Sequence, residues 1–252
     1  MGKVILPNTE IDNVKMIIFD KDGTLIDIHH YWCSMIQFRA EFLVNSIIGI
    51  DKEALYEDLI SSMGIDLKTK KMKSEGPVGI KPRSFIVDIA LQTIFKYIKS
   101  YSKEKVIDIF AEVDEYSKTK LKYIVKPLDG VLELLCNLKQ VGILASVATT
   151  DLTHRAVLSM SIIDLEDYFI DIVGADLVKN AKPSADLVNL IVDKNKLTCD
   201  EIIVVGDSMV DLSMAKNAKC KFIGVKTGLY TSEFLDSREY LINDLRELKV
   251  QS

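Results

Sequence analysis

Five short apolar runs rich in Val and Ile recur along the chain: Val14 to Phe19, Ile143 to Ala148, Phe169 to Val173, Ile202 to Val205 and Phe222 to Val225. Their lengths suit buried strands. Between the later runs lie segments with helical period: Val131, Leu134, Leu135 and Leu138, then Ala156, Val157, Met160 and Ile163, then Leu187, Leu190 and Ile191. Strand alternating with helix predicts an α/β fold, a Rossmann-like parallel sheet flanked by helices.

The spacing breaks once. About 120 residues separate the first run from the second, where a strand-helix-strand crossover needs only a few tens. The segment between is dominated by helical periodicity: Met35, Phe38, Phe42 and Ile47, then Ile86, Ile89, Ala90, Ile94 and Ile98, then Val106, Ile109 and Val113. It predicts a separate α-helical domain over residues 27–123, inserted into a core formed by 1–26 and 124–252. The 252 residues accommodate this, at about 150 residues per domain. The middle of the insertion, Lys68 to Arg83, carries Gly76, Pro77, Gly79 and Pro82 among Lys68, Lys70, Lys71, Lys73, Lys81 and Arg83. It reads as a basic loop, either solvated or, through Arg83, meeting an anionic substrate from the side of the helical domain.

Composition narrows the function classes. With 48% hydrophobic and 27% charged residues, disorder and a disulfide-dense miniprotein are excluded. A net charge of −5 gives no electrostatic footprint for nucleic acid. Cys33, Cys136, Cys199 and Cys220 show no CxxC spacing, which argues for reduced, mostly buried thiols rather than a zinc knuckle. No apolar stretch approaches the roughly 18 residues that span a bilayer. Leu6 stands where an acylation signal after Met1-Gly2 wants Ser or Thr, and no apolar leader segment follows Lys3. A cytoplasmic protein without membrane contact is expected; the oligomeric state is not readable.

In an open α/β sheet, ligands bind outside the carboxyl ends of the strands. Here those positions are acidic and hydroxylic. Asp20, Lys21, Asp22, Gly23 and Thr24 follow the first run, Thr149, Thr150 and Asp151 the second, and Gly206, Asp207, Ser208 and Asp211 the fourth. Carboxylates converging on one rim repel one another by about 4 kcal/mol per pair at 4 Å and an effective dielectric of 20, so a cation is expected among them. Aspartate oxygens without His or Cys are hard ligands, the habit of Mg²⁺ beside a phosphate. Taken singly, each has a blander reading: an Asp-Gly hairpin turn at Asp22-Gly23, an N-cap at Asp207, a solvated lysine at Lys182, a strand-ending threonine at Thr149.

Together these residues resemble a known family. Asp20-Lys21-Asp22-Gly23-Thr24 after a strand resembles the DxDGT motif of the haloacid dehalogenase superfamily. Thr149, Lys182-Pro183 and Gly206-Asp207-Ser208 with Asp211 follow in the order of that superfamily's second, third and fourth motifs. Pro127-Leu128-Asp129-Gly130-Val131 resembles the cap-to-core junction of its phosphoglycolate-phosphatase-like members, and the helical insertion 27–123 after the first motif resembles their α-helical cap domain. The resemblance implies that Asp20 is a nucleophile forming an aspartyl-phosphate and that Asp22 is the acid and base. It implies that Thr149, with the Thr150 backbone N–H, binds a phosphoryl oxygen, and that Lys182 neutralises the phosphate. Mg²⁺ would be held by Asp20, Asp22 through its backbone carbonyl, and Asp207, with Asp211 acting through water or by orienting the others.

The implied function is Mg²⁺-dependent hydrolysis of a small phosphorylated metabolite, such as phosphoglycolate or a sugar phosphate. A phosphosugar mutase and a non-catalytic binder of phosphorylated metabolites are the alternatives. Asp22 argues against dehalogenases and phosphonatases, and its place where ion-pumping ATPases with DKTGT have Thr argues against those. His29 and His30 are expected to cap or pack a helix, and His154 to face solvent.

Overall fold

The computed structural model describes residues 2–73, 76–78, 81–228, 231–236 and 240–252. Met1 and Gly79, both used in the sequence reading, lie outside the described residues. The chain opens with β1 (Gly2–Leu6), β2 (Thr9–Val14) and β3 (Met16–Phe19), then runs through α1 (Ile28–Asn45), α2 (Lys52–Ser62), α3 (Arg83–Ile94), α4 (Lys103–Lys118) and α5 (Leu121–Ile124). It continues with α6 (Val131–Val141), β4 (Leu144–Ala148), α7 (Thr153–Ile162), β5 (Asp171–Val173), α8 (Asp186–Asn195), β6 (Ile202–Gly206), α9 (Met209–Ala218), β7 (Lys221–Val225), α10 (Ser232–Leu235), β8 (Tyr240–Ile242) and β9 (Lys249–Gln251). Two compact units result, Met1–Ile28 with Val125–Ser252, and His29–Ile124.

The first unit is built on a six-stranded sheet in the order β5-β4-β3-β6-β7-β8, every neighbouring pair parallel. All four residues of β3 are buried, as a central strand covered on both faces requires. One face packs Met16, Ile18, Ile202 and Val204 against Leu187, Val188 and Ile191 of α8 and Leu212 and Ala215 of α9. Each of the larger side chains among them contributes about 1.5–3 kcal/mol of burial. The stripe Val131, Leu134, Leu135 and Leu138 buries one side of α6, which ends at Gly142 in the left-handed region (φ 76°). Phe19 lies opposite Val147 of β4 and Val205 of β6, so the residues after these three strands leave the sheet side by side.

The first apolar run proves to be two elements. Val14 closes β2, whereas Met16 begins β3, and Lys15 between them donates its N–H to Glu201 O and accepts from Leu144 N. β2 belongs to a separate antiparallel sheet, β2-β1-β9, that joins the two chain ends. The third run shortens to Asp171–Val173. Of the four free thiols Cys33 is buried, and Cys136, Cys199 and Cys220 are half-buried.

The helical unit packs Leu55, Leu59 and Ile60 of α2, Ile86, Val87, Ala90 and Ile94 of α3, and Val106, Ile109, Phe110 and Val113 of α4. Asp51 and Ser102 cap α2 and α4 through their side chains. Arg39, 6% exposed, lies 4.7 Å from the Phe110 ring centroid and 3.8 Å from Asp114. His30 Nε2 lies 2.9 Å from Tyr123 O, a packing role. Among the described residues no helix is long and apolar enough to cross a membrane.

Candidate active site

Asp20 is the first residue beyond β3, and its N–H donates to Val205 O at 2.8 Å, which fixes it beside the end of β6. Its side chain meets Lys182, whose Nζ lies 2.5 Å from Asp20 Oδ1 and 2.7 Å from Asp211 Oδ1 while the lysine side chain is only 2% exposed. The Lys182–Pro183 peptide is cis. Asp211 is in the first turn of α9, and its other oxygen accepts from Ser208 N (3.2 Å) and Ser208 Oγ (2.6 Å), closing a capping box. The N-cap is therefore Ser208, not Asp207, which overturns the capping alternative for Asp207. The hairpin alternative for Asp22-Gly23 also falls, because among the described residues β3 pairs only with the parallel strands β4 and β6.

Asp20, Asp207 and Asp211 are all buried, and one carboxylate oxygen from each lies within 4.8 Å of the others. Burial first, then Asp211 and Asp22, push the Asp20 carboxyl above the usual range, and with Lys182 pulling the other way it settles at about 7. Burial also opposes the Lys182 charge, yet Asp20 and Asp211 together hold that ammonium above the ordinary lysine value. Crowded, buried, all-oxygen carboxylates are the donor set of a hard divalent cation. The backbone is shaped around them as well. A Cβ on Gly23 (φ +94°) would lie 2.5 Å from Asp207 Oδ2, and one on Gly228 only 1.6 Å away. These two glycines form a close cradle for the Asp207 carboxylate, and the residues fit such an ion.

A second cluster adjoins the first. Lys21, 4% exposed, places Nζ 2.7 Å from each carboxylate oxygen of Asp22 and 3.5 Å from Asp151. Thr149, buried at the end of β4, donates its N–H to Val173 O (3.0 Å), and its Oγ1 accepts from Asp151 N (3.1 Å). Thr150 is exposed. Arg83 belongs to the helical unit, where its guanidinium is ion-paired with Asp114 and lies 5.7 Å from the Phe110 ring centroid.

The sequence model of haloacid dehalogenase-like hydrolases matches residues 65–225, well over half of the chain. The chain belongs to this family. The matched span holds Thr149, Lys182, Asp207 and Asp211, whereas Asp20 and Asp22 precede it. Among curated relatives, this hydrolase is 25% identical over 216 residues to the pyrophosphatase PpaX of Halalkalibacterium halodurans, covering 86% of this chain and 83% of the relative. It is 23% identical over 227 residues to the phosphoglycolate phosphatase of Vibrio cholerae, covering 90% and 91%. The crystal structure of a HAD-superfamily hydrolase, subfamily IA, variant 1, from Geobacter sulfurreducens superposes with a TM-score of 0.65 at 19% identity, covering 93% of this chain and 94% of that one. This last likeness concerns the fold.

Two contributors to the hydrolase's site have no motif behind them: Gly228, and Thr227, whose Oγ1 donates to Gly23 O at 2.6 Å. Both follow the fifth apolar run, so the rule that points to Asp20 and Asp207 as rim residues points to them too.

Proposed function

We propose that this hydrolase is a Mg²⁺-dependent phosphatase acting on a small phosphomonoester through an aspartyl-phosphate on Asp20. The observation that carries the reading is the buried ammonium of Lys182, shared by Asp20 and Asp211 inside a cluster of three carboxylates at the strand ends. A nucleophilic carboxylate beside a fixed cation is equipped to approach a dianionic phosphate, which a bare cluster of anions would repel.

In the first half-reaction an Asp20 oxygen attacks phosphorus and the P–O bond to the ester oxygen breaks. Asp22 gives its proton to the departing alkoxide. In the second, water attacks the phosphorus of the aspartyl-phosphate, Asp22 takes the water proton, and the bond from Asp20 to phosphorus breaks. Orthophosphate leaves and Asp20 is restored. Lys182 neutralises phosphate charge, and Thr149 Oγ1 with the Thr150 N–H holds a phosphoryl oxygen. Asp20, Asp207 and the Asp22 backbone carbonyl would hold Mg²⁺, which when bound supplies the positive charge that lets carboxylate and phosphate approach. Asp211 is assigned to hold Lys182 through one oxygen and Ser208 through the other. Arg83, already paired with Asp114, has no part in this assignment.

The names of the relatives make phosphoglycolate and pyrophosphate the first compounds to assay. Orthophosphate release from a panel of phosphorylated metabolites, with and without Mg²⁺, tests the reading. Mg²⁺-dependent release that Asp20→Asn abolishes is expected. No release from any compound, or undiminished release by Asp20→Asn, contradicts it, and transfer of phosphate to a sugar hydroxyl in place of release makes the protein a mutase.

A further inference from the structure

Lysines are rarely buried unless paired. Lys21 is buried immediately after Asp20, and its ammonium joins two loops that are each fixed by other bonds. On the first loop, Lys21 O accepts from Leu25 N and Ile26 N, both at 2.9 Å, so the turn carrying Asp22 is closed on the lysine's own backbone. On the second, Asp151 O accepts from Ala175 N, Asp151 Oδ1 accepts from Leu152 N at 2.8 Å, and Asp151 N donates to Thr149 Oγ1. The Lys21 ammonium spans the gap, lying 2.7 Å from both Asp22 oxygens and 3.5 Å from Asp151.

We propose that Lys21 is a positioning residue, clamping the Asp22 carboxylate to the loop that carries Thr149 so that proton donor and phosphate-binding hydroxyl keep one fixed separation. The inference rests on the reading of Asp22 as acid and base and of Thr149 as a phosphate ligand. Its physical content is geometric. Proton transfer demands a hydrogen-bonded approach, and a displacement of about 1 Å can cost 100-fold in rate. An Asp22 carboxylate without its clamp has free rotamers to explore and a shorter residence beside the leaving oxygen.

The test uses leaving-group chemistry, because an alkyl alkoxide needs the proton from Asp22 and p-nitrophenolate scarcely does. The measured quantity is kcat/KM with Mg²⁺ on an alkyl phosphomonoester hydrolysed by the enzyme and on p-nitrophenyl phosphate, since this parameter reports the first half-reaction. Lys21→Met is expected to lose about 100-fold on the alkyl ester and about tenfold or less on the aryl ester, with Lys21→Arg recovering most of the alkyl rate. Asp151→Asn, which removes one arm of the clamp, should show the same selectivity at about fivefold. Equal losses on both esters, or none, overturn the proposal, because general structural damage scales both rates alike. If thermal melting shows that Lys21→Met does not fold, Asp151→Asn decides by the same criterion. Asp22→Asn is the control for the underlying reading. Wild-type rates in that variant overturn the acid and base assignment itself, whereas a selective alkyl loss there with none in Lys21→Met overturns the clamp alone.

Discussion

At Asp20 two opposing effects meet in one side chain: burial favours the neutral acid, and Lys182 at 2.5 Å favours the carboxylate. Replacing Lys182 by Met leaves Asp20 and Asp211 buried without their shared partner. The expected cost is about 3–5 kcal/mol of stability, read by denaturant melting, together with loss of turnover. Asp207 and Asp211 should separate by kinetics. With Asp207 in the Gly23 and Gly228 cradle and Asp211 bound to Lys182 and Ser208, Asp207→Asn should raise the Mg²⁺ concentration for half-maximal rate about tenfold or more. Asp211→Asn should chiefly lower kcat, and an equal shift in Mg²⁺ requirement for both variants would put Asp211 on the metal. The rim carboxylates are legible in the sequence because strand ends converge by rule. The pairing of Lys21 with Asp22 and Asp151 is not, because it depends on which of two neighbouring loops the side chain bends toward.

At the scale of elements, α9 carries both its own cap and part of the site. Ser208 caps it, Asp211 closes the box, and Asp211 also holds Lys182. Ser208→Ala should therefore cost about 1 kcal/mol of cap, or about 2–4 °C in melting temperature, and also lower turnover by loosening Asp211. A melting shift with unchanged kcat would confine Ser208 to capping. The central strands are legible as buried apolar runs, and α6, α7 and α8 because each buries apolar residues at helical spacing, although Leu190, read into the α8 stripe, is exposed. Others are obscured for physical reasons. α2 is largely polar, with a buried stripe of only Leu55, Leu59 and Ile60. β1, β2 and β9 are short strands whose pairing joins opposite ends of the chain, so no local pattern announces it. Val14 and Met16 read as one strand because apolar character continues across Lys15, although the sheet changes there.

For the whole molecule, the spacing between the first and second runs predicts an inserted helical segment over 27–123, and residues His29–Ile124 form a compact unit. Stability should depend on pH through Asp20. Its carboxyl is raised from 3.8 to about 7 on folding, so its contribution is full below about pH 4 and is lost as pH rises through 7, where the buried group must ionise. The metal-free protein should accordingly lose melting temperature between pH 5 and pH 8 more steeply than Asp20→Asn. Added Mg²⁺ should raise the melting temperature more at pH 8 than at pH 5, because it binds the ionised form. Parallel pH profiles for the wild type and Asp20→Asn would show that Asp20 is not the responsible group.

The central claim is that Asp20 itself carries the phosphoryl group between the two half-reactions. Acid-quenching a single turnover with phosphate-labelled substrate and mapping the labelled peptide tests it most directly. The account predicts acid-stable, base-labile label on Asp20 that is absent in Asp20→Asn. Label on any other residue contradicts it, as does orthophosphate formed by Asp20→Asn at the wild-type rate.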